Sequence, residues 1–524
     1  MTNSNPTWRR RDPAGAAAGL QPPALSSCAT HHPDLKTPVC VSSCGNGGRW
    51  GLSLAALALS LSLGSSPLAA QYDKVAALGS DASLTPIGGP SGSPPVETTP
   101  YDLPDLRPTG ILNDQLPKWI QFGTEERFRF EGYSGGSFNP ASSDSYLLNR
   151  LRLGLIIKPV SWFRVVSQVQ DARPFLQNPP FGPPNENKWN LKLAYAEFGD
   201  AEKGPISVRV GRQEIDYNNT IIANSEWRNQ GRSYDAVVAN LHLNRYRLGI
   251  FAASVVNPLD DEFINHHAAG NDIYGIYGGI DRVIPHSAIE PFVLWRVAPS
   301  VSVETTTTKT AKGKLSEEAY GVRLRGKEIS NFDYRAEAIG ETGSAGTNPI
   351  NAWATTDGVG YKIAAAPWKP RLFAGFDYAS GDKNPTDRTH NTFDTMYPTA
   401  HDRFGISDQF GWQNIVAGRG GVTIEPHKRW TITGQYLDLW LASATDAVYN
   451  TSGSAIVRDA TGKSGKHIGE EFDAYAWYEV NREVHIGAGI GHLMPGEFLA
   501  KTTKGGSYTY PYFTVEFLDG KRVH

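Results

Sequence analysis

Pairs of arginines placed two residues apart are the side chains of this sequence best suited to chemistry. Arg127 and Arg129 form one such pair, and Arg150 and Arg152 form another. A planar guanidinium can bind a carboxylate or a phosphate through two parallel hydrogen bonds. Several guanidinium groups on one surface would therefore bind an anion, and a neighbouring carboxylate such as Glu125 would weaken the binding enough to permit release.

The spacing of the second pair indicates which kind of element carries it. Successive side chains of a β-strand face opposite sides, and Arg150 and Arg152 alternate with Leu151, Leu153 and Leu155. An arginine turned toward the middle of a membrane costs about 2 to 4 kcal/mol. If the leucines face lipid, the arginines must therefore face a polar interior.

The same alternation recurs between Lys118 and Phe517 in about eighteen segments of roughly ten residues, the length that a tilted strand needs to cross a membrane. It predicts an all-β fold, a transmembrane antiparallel up-and-down β-barrel of about 18 strands. Short connectors, which would face the periplasm, are predicted at 158–161, 199–205, 243–245, 282–286, 328–331, 365–370, 425–428 and 481–483. Long polar connectors, which would face outward, are predicted at 172–188, 213–232, 256–271, 298–317, 380–410 and 443–471.

The composition agrees with a barrel and disfavours one class of partner. A mean hydropathy of -0.37 would suit a soluble protein, but a barrel strand needs apolar residues on one face only. The 13 Trp and 22 Tyr can supply aromatic girdles at two membrane interfaces. A formal net charge of -3 argues against nucleic acid as a partner.

The segments outside the barrel have their own composition. An apolar run at 51–63 is too short to span a membrane as a helix and is followed by small residues up to Ala70, which is typical of a signal peptide. All three cysteines precede it, and their spacing with nearby histidines matches no closed zinc site. We therefore expect a leader with signal peptide at 1–70, its upstream part arising from a misplaced start codon, a flexible Pro/Gly/Ser-rich lead-in at 71–117, the barrel at 118–517 and a short periplasmic tail at 518–524.

The polar side chains inside the barrel allow two interpretations. They could neutralise one another as an ion-pair network. Alternatively, because eighteen strands enclose an aqueous channel, the basic residues could face water and a passing solute. Glu126 and Glu197 do not follow the alternation, and we expect them near an interface or a β-bulge.

Three groups of motifs resemble the alginate export family of outer-membrane barrels. They are Gly211-Arg212-Gln213, then Trp227-Arg228-Asn229 with Arg232 to Asp235, and a loop pattern at 376–384, 393–394 and 411–414. The resemblance covers about 119–517. It implies an eighteen-stranded barrel with an arginine-rich constriction through which an anionic uronate polymer leaves the cell.

Alternation and the resemblance together predict a set of lumen residues that contact the substrate. This set is Arg127, Arg129, Arg150, Arg152, Lys192, Arg212, Arg228, Arg232, Arg323, Arg325, Arg335, Lys362 and Arg371. The predicted function is an outer-membrane channel that exports an alginate-like polyuronate by facilitated diffusion. The alternative is an anion-selective porin for small uronates, oligosaccharides or other small anions. Expected partners are the substrate, outer-membrane lipid and periplasmic polysaccharide-synthesis proteins.

An enzyme built into a barrel is a competing class. Ser380, His390, Asp394 and His401 share one loop, but no nucleophile elbow surrounds the serine. The aspartates of that loop do not have the spacing of a calcium cage. We therefore expect no catalytic residue, no metal and no cofactor.

Overall fold

The computed structural model describes residues 108–520, except 178–184, 201–203, 218–219, 260–261, 307–308, 385, 400 and 482. The predicted signal peptide, most of the predicted lead-in and residues 521–524 of the predicted tail lie outside the described residues.

Eighteen antiparallel strands form one closed sheet, in which the last strand pairs with the first. The barrel strands are β1 Ile120–Ser134, β2 Ser143–Val160, β3 Phe163–Phe175, β4 Asn187–Gly199, β5 Ile206–Gln213, β6 Tyr234–Leu243, β7 Tyr246–Val256, β8 His267–Asp281, β9 Ser287–Thr306, β10 Lys309–Ile329, β11 Phe332–Ala345, β12 Asn348–Lys362, β13 Arg371–Ala379, β14 Ile415–Ile424, β15 Trp430–Leu441, β18 His467–Glu479, β19 Val484–Pro495 and β20 Tyr508–Gly520. A small hairpin, β16 Ala447–Tyr449 and β17 Ala455–Arg458, lies outside the sheet. The predicted up-and-down barrel is confirmed.

Alternation along each strand separates the interior from the outer surface. In β1, Arg127 and Arg129 are 3% and 2% exposed, whereas Phe128 and Phe130 are 47% and 43% exposed. Arg127 is the direct cross-strand partner of Arg150 in β2, so both side chains point to the same side of the sheet. The arginine pairs therefore face the lumen and the phenylalanines face outward.

Exposed aromatic side chains mark the two ends of the outward surface. Trp430 packs against Tyr478 at the end with the short turns, with ring centroids 4.8 Å apart, and Trp440 lies at the opposite end of β15. From Trp430 to Trp440 the strand climbs about 25 Å along the barrel axis, at a rise of about 3.3 Å per residue and a tilt of about 40°. This height matches the apolar band of an outer-membrane barrel.

Several predicted boundaries are wrong. The predicted connector 298–317 is mostly strand, because its β-branched Val and Thr residues extend β9 to Thr306 and β10 starts at Lys309. The last strand does not end at Phe517 but continues to Gly520, which pairs with Gly123 of β1.

The predicted lead-in ends in a short helix, α1 Pro108–Gln115, and a second helix, α2 Glu497–Thr502, lies between β19 and β20. The Asn113 side chain fixes α1 to the barrel by donating to the Phe122 carbonyl and accepting from its N–H, at 2.9 and 2.7 Å. No helix among the described residues is long and apolar enough to cross a membrane.

Two of the predicted outward connectors instead fold into the barrel. We call residues 214–233 the first inner loop and residues 380–414 the second inner loop. The first buries Ile221 and Trp227, and the second buries Phe404 and Phe410. The loops are joined to each other, since the Ala223 N–H donates to the Tyr397 carbonyl at 2.8 Å and the Tyr397 N–H donates to Ile221 at 3.0 Å. Apolar side chains within both polar segments explain why they leave the surface.

Candidate functional site in the barrel lumen

Arginines of β1 and β2 hold the backbone of the first inner loop. Arg127 donates to the carbonyls of Glu226 and Trp227 at 3.0 and 3.2 Å, and Arg129 donates to the Trp227 carbonyl at 2.6 Å. Arg150 donates to the Glu226 carbonyl at 3.0 Å. These guanidinium groups are buried and engaged, so they position the loop.

The side chain of Glu226 is a further anchor of this loop. Arg152 approaches its carboxylate at 2.7 Å. Although burial alone would raise the pKa of Glu226, Arg152 and Arg150 hold it well below the ordinary value. Lys192 of β4 adds a contact by donating to the Arg232 carbonyl at 2.9 Å. The loop is therefore held by charge-assisted bonds at both its carbonyls and its carboxylate.

A stack of rings and a guanidinium joins the two inner loops. The Arg129 guanidinium lies 4.0 Å from the Trp227 ring centroid, and the His401 ring lies parallel to Trp227 at 3.7 Å with an interplanar angle of 3°. His401 Nδ1 lies 2.8 Å from an Asp408 carboxylate oxygen. The wall, the first loop and the second loop therefore meet at Trp227.

Carboxylates of β18 hold the second inner loop. Glu471 accepts from the Ser407 hydroxyl at 2.6 Å and from the Ser407 N–H at 3.0 Å, and Asp473 accepts from the Ile406 N–H at 3.2 Å. Elsewhere in this loop, the Asp394 carboxylate accepts from Arg296 of β9 at 2.5 Å. The wall thus presents both acceptors and donors to this loop, since Arg419 of β14 also donates to the Asp402 carbonyl at 3.4 Å.

Arg228 differs from the arginines of the wall. Among the described residues, no hydrogen bond or ion pair engages its guanidinium, and the side chain is half-buried. Burial and, after it, the nearby Arg232 lower the pKa of Arg228 to about 10, so it remains charged at neutral pH. Its own backbone carbonyl is fixed by Arg127 at 3.1 Å. Arg228 therefore carries a positive charge near the Asp408 carboxylate, without a hydrogen bond or ion pair among the described residues, on a backbone that Arg127 holds.

Three further groups of arginines inside the barrel pair with carboxylates. They are Arg164 and Arg209 on Glu197, Arg247 with Arg323 and Arg325 on Glu290 and Asp281, and Arg403 and Arg419 on Asp377. Arg335 lies near the last group and donates to the Thr356 hydroxyl at 3.2 Å. In these groups the interior charges are paired with one another, as the ion-pair interpretation expects.

The remaining predicted lumen residues have different positions. Arg232 donates to the carbonyls of Ala223, Tyr397 and Pro398 and so ties the loops together. Lys362 pairs with Glu425 at 2.7 Å near the short-turn rim. Arg371 pairs with Asp333 at the same end of the barrel.

The prediction that Arg212 faces the lumen is wrong. Its direct cross-strand partner is Asp235, which lies on the outer face, and the two form ion-pair contacts at 2.8 and 3.0 Å. Alternation in β5 predicts this outward orientation, because Arg209 faces inward and pairs with Glu197. Only the motif resemblance favoured the lumen.

The two glutamates that broke the alternation have separate explanations. Glu126 lies on the outer surface, where the Asn149 amide donates to its carboxylate. Glu197 faces inward. A register shift between β3 and β4, at Gln168 and Val169, lets both Lys192 and Leu193 of β4 be buried. Alternation starts again from Leu193, so Glu197 is buried on the same side as Leu193.

Sequence reasoning missed several interior residues. Arg247 could have been found, since it alternates with Tyr246 and Leu248 in β7. Arg403 and His401 belong to a loop without periodicity, and no local signal places them in the lumen. The rival catalytic arrangement is not assembled, because the Ser380 hydroxyl donates to the Asn391 carbonyl at 2.8 Å and His401 pairs with Asp408.

Comparison with known proteins gives a family and a fold. The sequence profile of the alginate export family matches residues 118–512. No curated protein sequence matches the chain. Among solved structures, Pseudomonas aeruginosa OpdO has a TM-score of 0.51 at 10% identity and covers 78% of this chain and 100% of its own.

Two other structures show the same fold. Pseudomonas aeruginosa OpdK, crystallised with vanillate, has a TM-score of 0.51 at 9% identity, covering 76% of this chain and 99% of its own. Acinetobacter baumannii OccAB4 has a TM-score of 0.50 at 10% identity, covering 77% and 98%. At such identities the likeness concerns the barrel architecture.

Proposed function

This chain belongs to the alginate export family and forms an outer-membrane channel, and from that premise we propose that it exports an anionic, alginate-like polyuronate by facilitated diffusion. The observation that carries the proposal is Arg228. Its guanidinium is free of hydrogen bonds and ion pairs among the described residues, and it sits on the lumen loop that four wall arginines hold in place.

The position of the wall arginines supports a path for anions. Arg164, Arg209, Arg323 and Arg371 belong to the short-turn half of their strands, which we assign to the periplasm. An anion that enters from that side meets these charges before it reaches Arg228. Because each arginine group also contains a carboxylate, binding at each step is weak enough for release. The partners that suit this function are the polymer, outer-membrane lipid and periplasmic polysaccharide-synthesis proteins.

The test is block of single-channel current in a planar bilayer. We expect uronate oligomers to block the open channel and neutral oligosaccharides of equal length to block it far less, because only the uronates carry carboxylates for Arg228. Arg228→Gln should weaken the uronate block. Equal block by charged and neutral oligomers would contradict an anionic cargo.

A porin for small anions is the second candidate, and the inner loops favour it. Two joined loops occupy the lumen, and a narrow path suits a small solute better than a polymer. In that case the channel should remain anion-selective while uronate oligomers pass without blocking it or fail to enter. Dependence of the block on oligomer length separates the two candidates, since a polymer path holds longer oligomers more tightly.

A further inference from the structure

Asp438, His467 and Glu470 form a cluster on the outer surface of the barrel, away from the lumen. Asp438 in β15 is the direct cross-strand partner of Glu470 in β18, and His467 is the first residue of β18. All three side chains are half-buried, and one potential ligand atom of each lies within 4.8 Å of the others. An imidazole nitrogen and two carboxylate oxygens therefore surround one point.

The neighbouring residues place this cluster at the long-loop end of the membrane band. Leu437 and Glu471 are buried on the inner side, whereas Tyr436 and Trp440 are exposed on the outside. The His467 ring lies 4.4 Å from the Trp440 ring. The cluster therefore lies at the level of the aromatic girdle, where one side of each group can reach water.

The charges of the cluster are poorly balanced. Two carboxylates directly opposite each other on neighbouring strands repel. In the part of the chain that the structure describes, neither Asp438 nor Glu470 pairs with a lysine or an arginine, and the close partner of Asp438 is His467 Nε2 at 3.0 Å. Glu290, by comparison, is surrounded by three arginines. A cation between Asp438 and Glu470 would remove their repulsion.

The donor set indicates the kind of cation. Imidazole suits zinc, copper and nickel, whereas magnesium and calcium prefer oxygen ligands alone. We propose that Asp438, His467 and Glu470 bind one divalent transition-metal ion of the Zn²⁺ type. His467 would coordinate as a neutral imidazole through Nε2, and any proton on that nitrogen would pass to solvent. Three protein donors leave one tetrahedral position for water.

Calorimetric titration of the purified full chain with Zn²⁺ tests the site, using protein without a histidine tag that has been treated with a chelator. We expect one tight site per chain. His467→Ala should weaken binding by at least about 100-fold, because removal of even a residue that supports a metal ligand costs about 10 to 100-fold. Asp438→Asn and Glu470→Gln should each weaken it as well.

The matched control is His492→Ala. His492 lies on the adjacent β19, is half-buried on the same outer surface and contacts the Thr509 hydroxyl at 2.8 Å, so its loss should not change zinc affinity. A heat-modifiable gel band verifies that each variant is folded. With Co²⁺ as the probe, the wild type should show the visible absorption of a bound ion, and His467→Ala should not. Absence of a tight site in the wild type, or equal affinity in wild type and folded His467→Ala, would overturn the proposal.

Discussion

The barrel wall holds the backbones of the two inner loops chiefly through different groups. Arg127, Arg129 and Arg150 donate to carbonyl oxygens of the first loop, whereas Glu471 and Asp473 accept from N–H groups of the second. Both loops are irregular backbone inside a barrel, and their peptide groups need partners as those of a strand do. These charged side chains of the wall therefore satisfy the loops, and an inward arginine is not by itself a substrate contact.

The largest change in stability and conductance should follow from the loss of a wall arginine that holds the first inner loop. Arg129→Ala removes a donor to the Trp227 carbonyl and leaves the buried Glu131 carboxylate without its closest cation. Breaking a buried ion pair costs about 3 to 5 kcal/mol. We expect a lower free energy of unfolding and a larger, noisier single-channel conductance, because the first inner loop is released.

Arg212→Ala is the control for this change. It also removes an arginine that pairs with a carboxylate, but on the outer face and without contact to an inner loop. It should leave the conductance unchanged. If both variants altered the conductance alike, the anchoring role of Arg129 would be wrong.

A smaller change in stability should follow from the loss of a wall carboxylate that holds the second inner loop. Glu471→Ala leaves the Ser407 N–H and hydroxyl without their acceptor. A buried polar group without a partner costs about 1 to 3 kcal/mol. The free energy of unfolding should fall and cysteine labelling of an otherwise cysteine-free barrel at Ser407→Cys should become faster. Glu471→Gln keeps one acceptor oxygen, so its free energy of unfolding and its labelling rate should lie between those of Glu471→Ala and the wild type.

The smallest effect should come from the contact between the loops. His401→Phe keeps a ring against Trp227 but loses the bond to Asp408, whereas His401→Ala loses both. A ring stack contributes about 0.5 to 1.5 kcal/mol. The free energy of unfolding, measured in denaturant, should therefore be highest for the wild type, lower for His401→Phe and lowest for His401→Ala. Phe and Ala variants of equal stability would show that the stack contributes nothing.

The sequence predicts the barrel far better than it predicts the lumen. Strand number and inward orientation follow from alternation within about ten residues, so Arg127 and Arg150 could be placed correctly. The hydrogen-bond partners of these arginines could not be predicted, because Arg127 and Arg228 are separated by 101 positions in the chain. The inner loops look like ordinary polar connectors, and only the tertiary structure shows that their apolar residues are buried.

The difference between local strand alternation and distant loop contacts also explains which predicted site residues behave as expected. The arginines of β1 and β2 face the lumen as alternation requires, yet they anchor a loop. Arg228, which alternation could not orient, has a guanidinium that no described residue engages in a hydrogen bond or ion pair. That the predicted residues contact the substrate remains a prediction. Of these residues, Arg228 is the one that we now expect to bind it.

The most direct measurement is the reversal potential of Arg228→Glu in a planar bilayer across a salt gradient, with Arg212→Glu as the matched charge change on the outer face. We expect Arg228→Glu to lose or reverse the anion preference, because attraction at the inner loop becomes repulsion. Arg212→Glu should keep the wild-type reversal potential. Unchanged selectivity in folded Arg228→Glu, or an equal shift in both variants, would contradict the claim that Arg228 of the first inner loop selects the cargo.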